Sequence, residues 1–296
     1  MHLKILIYAW AWIYALLLGA CAFAPERSLE ENPEYSQREL IPAEISVLSW
    51  NIQKGLAGEW PIALNNSYID RRLFGFDLIL IQEACISADG KLKDLQTTLE
   101  REGYGWQFAT SFVSGVLGCS DGATTGVLVA SKVQPLQTLA LRSAGSEFLI
   151  TPKASLAMLF PVVGLADPLL VINTHLLNFE LISNANFDQQ LQELIDLVEQ
   201  HSGPVLLAGD LNTRNQARMD SVTAAMLQAC LRTVVPAAPD TRTTDRLHGD
   251  YALDHILFRG LRPLTPLQVG GEQAEGISDH NSISAVFSVV RNMGCR

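Results

Sequence analysis

Six short segments of this chain run into residues able to do polar chemistry: Asn51 in SWN, Glu83 in LILIQE, His175 in VINTH, Asp210 and Asn212 in LLAGDLN, Asp254 with His255 in LDHILF, and Asp279 with His280 in GISDHNS. Any one of them alone reads as an ordinary turn or cap residue. Gathered at one rim, they would put two or three carboxylates, two amides and two histidines into a single cleft. Oxygen ligands from Glu83, Asp210 and Asn51 suit a hard divalent cation such as Mg2+ or Mn2+, which also takes phosphate oxygens. Histidines beside carboxylates are oriented for proton transfer near neutral pH. Acidic groups repel a phosphate unless a metal lies between them, so metal-assisted hydrolysis of a phosphate ester is the reaction this inventory points to.

The elements that must position these residues are strands. EISVLSWN, DLILIQE, TGVLVAS, ASLAMLFPVV, PLLVINTH, PVLLAGD, LDHILF and SISAVFSVV each have strand length and composition. Helical spacing recurs in Phe187, Leu191, Leu194, Ile195 and Val198, in Met219, Val222, Met226 and Cys230, and more weakly in Leu92, Leu95 and Leu99. Continuous and alternating strands with interspersed helices predict two packed sheets flanked by helices in one α/β domain. A doubly wound sheet explains less, because LDHILF and SISAVFSVV follow one another with no helix pattern between them.

The chain has 296 residues, 48% of them hydrophobic and 18% charged, which is enough apolar material for one large core. Its formal net charge of -10 repels polyanions at long range, so affinity for them needs a local patch or a bound cation. Lys4 precedes an apolar stretch and then Leu18-Gly19-Ala20-Cys21, as in a bacterial lipoprotein signal; an uncleaved membrane anchor is the alternative. The expected organisation is a signal over 1–20, lipidated Cys21 with a flexible tether over 21–43, and a catalytic domain over 44–296. The protein would then sit membrane-anchored in the cell envelope, facing the periplasm or exterior, as a monomer. Cys85, Cys119, Cys230 and Cys295 permit two disulfides in an exported chain. Pairing the segments nearest in sequence gives Cys85 with Cys119 and Cys230 with Cys295; four buried thiols are the alternative.

The motifs LSWNI, IQE, TGVLVAS, NTHLLN, GDLN, LDH and SDHN, in this order, resemble the DNase I-like endonuclease/exonuclease/phosphatase superfamily, and more narrowly a bacterial branch of it. The resemblance covers roughly residues 44 to 290 and implies an α/β (α+β) four-layer sandwich of two mainly antiparallel sheets flanked by helices. It further implies that Glu83 is the principal metal ligand, with Asn51 holding metal and phosphate and Asp279 beside them. Asp210 would align or deprotonate the attacking water, and Asn212 would stabilise the charge growing on phosphorus. His280 would contact the phosphate or handle a proton, oriented by Asp254, and His175 would be an acid for the leaving oxygen. Asn178 falls where relatives use an asparagine on the scissile phosphate. No role follows for His255, which reads as a satisfied structural histidine.

Substrate is left open at this level. Thr124-Thr125 precede Gly126-Val127 where abasic-site nucleases of the superfamily commonly carry a tyrosine, which argues against DNA repair. Lys153 in TPKAS is a candidate phosphate contact, although a lone lysine is usually a solvated charge. Trp60 with Leu56 and Ile62, or Phe112 with Val113, could form a membrane-facing lip or simply close loops over the core. Three functions compete: an extracytoplasmic nuclease-like phosphodiesterase, a phospholipid or sphingomyelinase-like phosphodiesterase acting on a lipid headgroup, and a catalytically silent binding lipoprotein.

Overall fold

A computed structural model describes residues 29–55, 73–86, 95–113, 119, 123–147, 151–180, 184–237, 239–245 and 250–290. The strands in chain order are β1 (Leu29–Asn32), β2 (Ile45–Asn51), β3 (Leu78–Ile86), β4 (Gly105–Val113), β5 (Thr124–Ser131), β6 (Gln137–Arg142), β7 (Ala154–Phe160), β8 (Leu169–His175), β9 (Val205–Asp210), β10 (Arg232–Thr233), β11 (Asp254–Arg259), β12 (Leu261–Pro263), β13 (Gln268–Val269) and β14 (Ile283–Val289). The helices are α1 (Gln96–Arg101), α2 (Ala185–Gln200) and α3 (Gln216–Gln228). One sheet runs β1-β4-β5-β3-β2-β14-β12, with β13 also on β14, and the other runs β10-β11-β9-β8-β7-β6.

Two pairs, β2 with β3 and β8 with β9, are parallel, and every other pairing is antiparallel. The parallel strands are where the sequence is apolar almost without interruption. β2, β8 and β9 are buried at every position, as expected for strands covered on both faces. Between the sheets lie side chains from both, among them Val47, Leu80, Val127, Val171, Leu206 and Phe287. The outer face of the first sheet packs Trp50, Ile79, Trp106 and Phe108 against Leu99 of α1. On the second sheet's outer face, Ile172 and Leu207 meet the stripe Phe187, Leu191, Leu194, Ile195 and Val198 of α2. The layers are helix, sheet, sheet, helix, and the doubly wound alternative is excluded.

This topology builds the rim. β2 ends with Asn51 opposite Gln82, beside the bulge through which parallel β3 continues to Ile86, and parallel β8 and β9 end with His175 opposite Asp210. Antiparallel β11 starts at that edge, where Asp254 pairs with Asp210. β14 starts there too, just after His280, with Ile283 opposite Ser49. Chain ends from both sheets therefore converge.

Several expectations change. Part of the segment read as a tether is folded: β1 pairs with β4, Gln37 N–H donates to Lys132 O at 2.7 Å, and Leu40 is buried. The folded unit thus begins by Leu29 rather than at Glu44. The main chain of the β4 edge supplies this pairing, so the acidic side chains of LEEN give no sign of it. Strands β4 and β6 were also not apparent in the sequence, because a register shift at Thr110/Phe112 interrupts the alternation of β4 and β6 is a half-exposed edge. Cys230 lies beyond α3 rather than on it, in a left-handed conformation (φ 57°). The first expected disulfide, Cys85–Cys119, is present with Cα atoms 6.1 Å apart. Cys230 is disulfide-bonded as well, while Cys295, like Cys21, Leu56, Trp60, Ile62 and Leu92, lies outside the described residues. Phe112 is buried and faces the cleft, so it forms no exposed lip.

Candidate active site

Asp210 is the meeting point of the rim. Its Oδ2 accepts a hydrogen bond from Asn51 Nδ2 at 3.0 Å and lies 3.5 Å from His175 Nε2 and 3.8 Å from His280 Nε2. Its Oδ1 accepts from the backbone N–H of Asn212 at 3.0 Å. Asp210 can reach this position because Gly209 adopts φ 146° against β8. A Cβ there would lie 1.9 Å from Thr174 O, so no other residue fits.

His280 is aimed by two sets of contacts. Its Nδ1 lies 2.9 Å from Asp254 Oδ2, and its backbone is held by Trp50 Nε1 donating to its carbonyl at 3.1 Å. Ser278 Oγ accepts from His280 N and donates to Asn51 O, which ties the SDHN loop to the end of β2. Burial disfavours the charged ring, but the carboxylates of Asp254 and Asp210 outweigh it and raise the His280 pKa to about 10. His175 shifts the other way, to about 3, through burial and the neighbouring Lys153. Of the two imidazoles, His280 is the one that carries a proton near neutral pH.

Glu83 is placed by a break in β3. Ile81 pairs with Leu128 and Ala84 with Gly126, so β3 holds one extra residue, and Glu83 takes φ 54°. Ile81 and Ala84 both pack on the outer cluster, and the bulge absorbs the alternation that would otherwise carry Glu83 outward. Lys54 Nζ lies 2.6 Å from Glu83 Oε2. Burial would raise the Glu83 pKa, yet Lys54, His175 and Lys153 together bring it down to about 2.

Glu83, His175, Asn178 and Lys153 line one cavity of about 290 Å3, together with Lys54 and Glu147. Lys153 Nζ is 3.4 Å from Glu147 Oε2, and Glu147 Oε1 accepts from the backbone N–H of Asn178. Asp279 is exposed, yet its carboxyl feels the same field: partial removal from water, with Glu83 and Asp210, raises its pKa against the pull of His280. Asn212 donates its side-chain amide to Leu176 O at 2.9 Å, so in this geometry it acts on the rim by orienting Asp210. His255 stands apart, bonded to Thr213 Oγ1 at 2.7 Å and Ala252 O at 2.9 Å, as a structural histidine.

The donor set fits a hard divalent cation on the Glu83 side. An ammonium at 2.6 Å already shows a cation position beside that carboxylate, and Asp279 is a further carboxyl in its field. Asn178 Oδ1, on the wall of the same cavity, is buried without a hydrogen-bond partner. All of these are oxygen atoms, as Mg2+ or Mn2+ prefers. Asp210, Asp254 and His280 also bring three ligand atoms within 4.8 Å of one another. There, however, His280 spends Nδ1 on Asp254 and turns Nε2 toward Asp210, so the trio is satisfied internally as an orienting relay.

The endonuclease/exonuclease/phosphatase family profile matches residues 48–280, most of the chain. The chain belongs to this family. Its endonuclease/exonuclease/phosphatase fold is shared by a protein of that name from Beutenbergia cavernae, at TM-score 0.65 and 17% identity over 84% of this chain and 72% of that one. The human Nocturnin catalytic domain, solved with bound sulfate, matches at TM-score 0.63 and 19% identity, covering 85% of this chain and 96% of that one. In sequence, a UPF0294 protein of Vibrio parahaemolyticus is 29% identical over 269 residues, 90% of this chain and 82% of the relative. Membership makes this protein a hydrolase of the endonuclease/exonuclease/phosphatase type.

Sequence reasoning missed Lys54, Glu147, Gln82 and Asn173. Gln82 Nε2 donates to Asn173 Oδ1 at 2.7 Å, and Asn173 Nδ2 donates to Ile81 O and Leu128 O at 2.9 and 2.7 Å. The one available signal was an asparagine and a glutamine inside otherwise apolar strands, where an unpaired amide is costly.

Proposed function

We propose that this protein hydrolyses phosphodiester bonds by in-line attack of water, dependent on Mg2+ or Mn2+, as an extracytoplasmic nuclease-like phosphodiesterase. The observation that carries this reading is the convergence on Asp210 of Asn51, His175 and His280, with Glu83 on the adjoining wall. Glu83, with Asp279, Asn178 Oδ1 and Asn51, whose Oδ1 accepts from Gln53 N–H in this geometry, would hold the cation, which when bound supplies Lewis-acid polarisation of a phosphate oxygen. Asp210, fixed by Asn51 and the Asn212 amide, aligns the attacking water. His280, held by Asp254, faces the same point with a ring nitrogen free of Asp254. His175 and Asn178 lie on the wall where the leaving side of the phosphate would rest.

A phospholipid headgroup is the competing substrate, favoured by the lipobox at Cys21, which would hold the protein on a membrane as a monomer. The Cys85–Cys119 disulfide supports an oxidising compartment for either substrate. A silent binding module fits poorly, since buried Asn51, Asp210, Asp254 and His280 have no apolar economy to recommend them.

The purified protein should be assayed against bis-p-nitrophenyl phosphate, plasmid DNA, RNA and sphingomyelin, with Mg2+ or Mn2+ and then with EDTA. Hydrolysis of a diester that disappears on chelation is the expected result. Activity that survives rigorous chelation would remove the metal, and inertness toward every diester would remove the reaction. Palmitate labelling that is lost in Cys21→Ala tests the anchor.

A further inference from the structure

The lobe of the cleft toward β4 and β5 brings two enclosed ammonium groups to one small cavity. Lys54 and Lys153 enter it, with Asn178, Ser111, Thr125 and Thr151 around them. An ammonium carries three donors. Lys54 meets one carboxylate, Glu83, and Lys153 meets one, Glu147, among the described residues. The lysine side chains are only 18% and 10% exposed. Enclosed lysines are uncommon unless paired, and two beside one small cavity leave N–H groups over for an acceptor-rich guest. The cavity, about 290 Å3, lies at the lower end of ligand sites, which span roughly 300–1,000 Å3. It has room for one compact group rather than a length of polymer. A cation sharing Glu83 would weaken the claim of Lys54 on that carboxylate and leave its ammonium for a neighbouring anion.

We propose that this lobe is an anion subsite for a second phosphate of the substrate, so that the protein prefers phosphodiesters carrying another phosphate close to the scissile one. The proposal rests on the phosphodiesterase reading above and narrows its substrate class. It predicts discrimination that simple neutralisation of the scissile phosphate would not produce, because that would favour all diesters alike.

Equilibrium binding separates the two. In an Asp210→Asn background with Mg2+, titration calorimetry compares glycerophosphoinositol with its 4-phosphate, and the dinucleotide TpT with pTpT. Wild type with Ca2+ in place of Mg2+ serves if that variant does not fold. The added phosphate should tighten Kd about tenfold or more in one pair, and which pair responds tells a headgroup from a nucleotide end. Lys54→Gln and Lys153→Gln should bring that ratio toward one, while Lys153→Arg, which keeps the charge, should retain it. A ratio near one in both pairs, or a ratio indifferent to both glutamine substitutions, overturns the subsite. If the ratio holds while wild type hydrolyses no diester, the phosphodiesterase reading fails and the subsite stands. Hydrolysis without the ratio removes the subsite alone.

Discussion

At the scale of single residues, Asp210 carries the most consequence because four groups are arranged around one carboxylate. Asn51 and the Asn212 amide restrain its two oxygens, and His175 and His280 flank it. Asp210→Asn keeps the size and loses the charge, and one amide of the pair with Asn51 would have to turn. Steady-state kinetics on a diester should show kcat lower by a hundredfold to a thousandfold or more, roughly 2.7–4 kcal/mol per lost transition-state group. His280→Gln should fall in the same range. Asp254→Asn should cost less, since Asp254 acts through His280 at 2.9 Å rather than on the substrate. Undiminished turnover in Asp210→Asn would take that residue out of the mechanism.

Among elements, the decisive feature is how β3 and β8 lock across the space between the sheets. Asn173 of β8 reaches the carbonyls of Ile81 and Leu128 and receives the Gln82 amide, at the level of the bulge that aims Glu83. Asn173→Ala would take the side-chain donor from the buried carbonyls of Ile81 and Leu128 and one acceptor from the Gln82 amide, which keeps Ser49 Oγ and Leu80 O. Urea unfolding should show a loss of about 2–3 kcal/mol, each orphaned group costing roughly 1–3 kcal/mol before relaxation. An unchanged midpoint would mean that water replaces the amide. The same scale explains which strands could be read from sequence. β2, β8 and β9 announce themselves as apolar runs, and α2 by its stripe. β1 has no such signal, being held by main-chain pairing to β4, and the bulge in β3 depends on a register with β5 that its own residues do not display.

For the whole molecule, acid acts through His255 and His175, the histidines that folding holds neutral. His255 is buried against Thr213 and Ala252 with Arg242 beside it, and burial followed by that guanidinium lowers its pKa to about 4. The unfolded chain protonates this ring near 6.5, so it takes up the proton first as pH falls. The contribution is therefore complete above about pH 6.5 and is lost as pH drops toward about 4, on the order of 3 kcal/mol in full. Thermal unfolding followed from pH 7.5 to 4 should show this slope, and His255→Gln should reduce it, leaving the part that His175 contributes. A variant with the wild-type slope would assign the acid sensitivity to other groups.

The sequence by itself determined which residue types stand at the ends of which apolar runs, and so most of the long strands, two packed sheets between helices and the candidates Asn51, Glu83, His175, Asp210, Asp254 and His280. Local composition is sufficient for that, because side-chain periodicity and burial act within a few residues. Only the tertiary structure decided which of these touch. Distances across the rim join residues as far apart as Asn51 and Asp210, and they depend on β2, β8 and β9 ending at one edge. Lys54 and Glu147 became visible only there, since a charge on a loop has no meaning until packing shows what it faces and from how much water it has been removed.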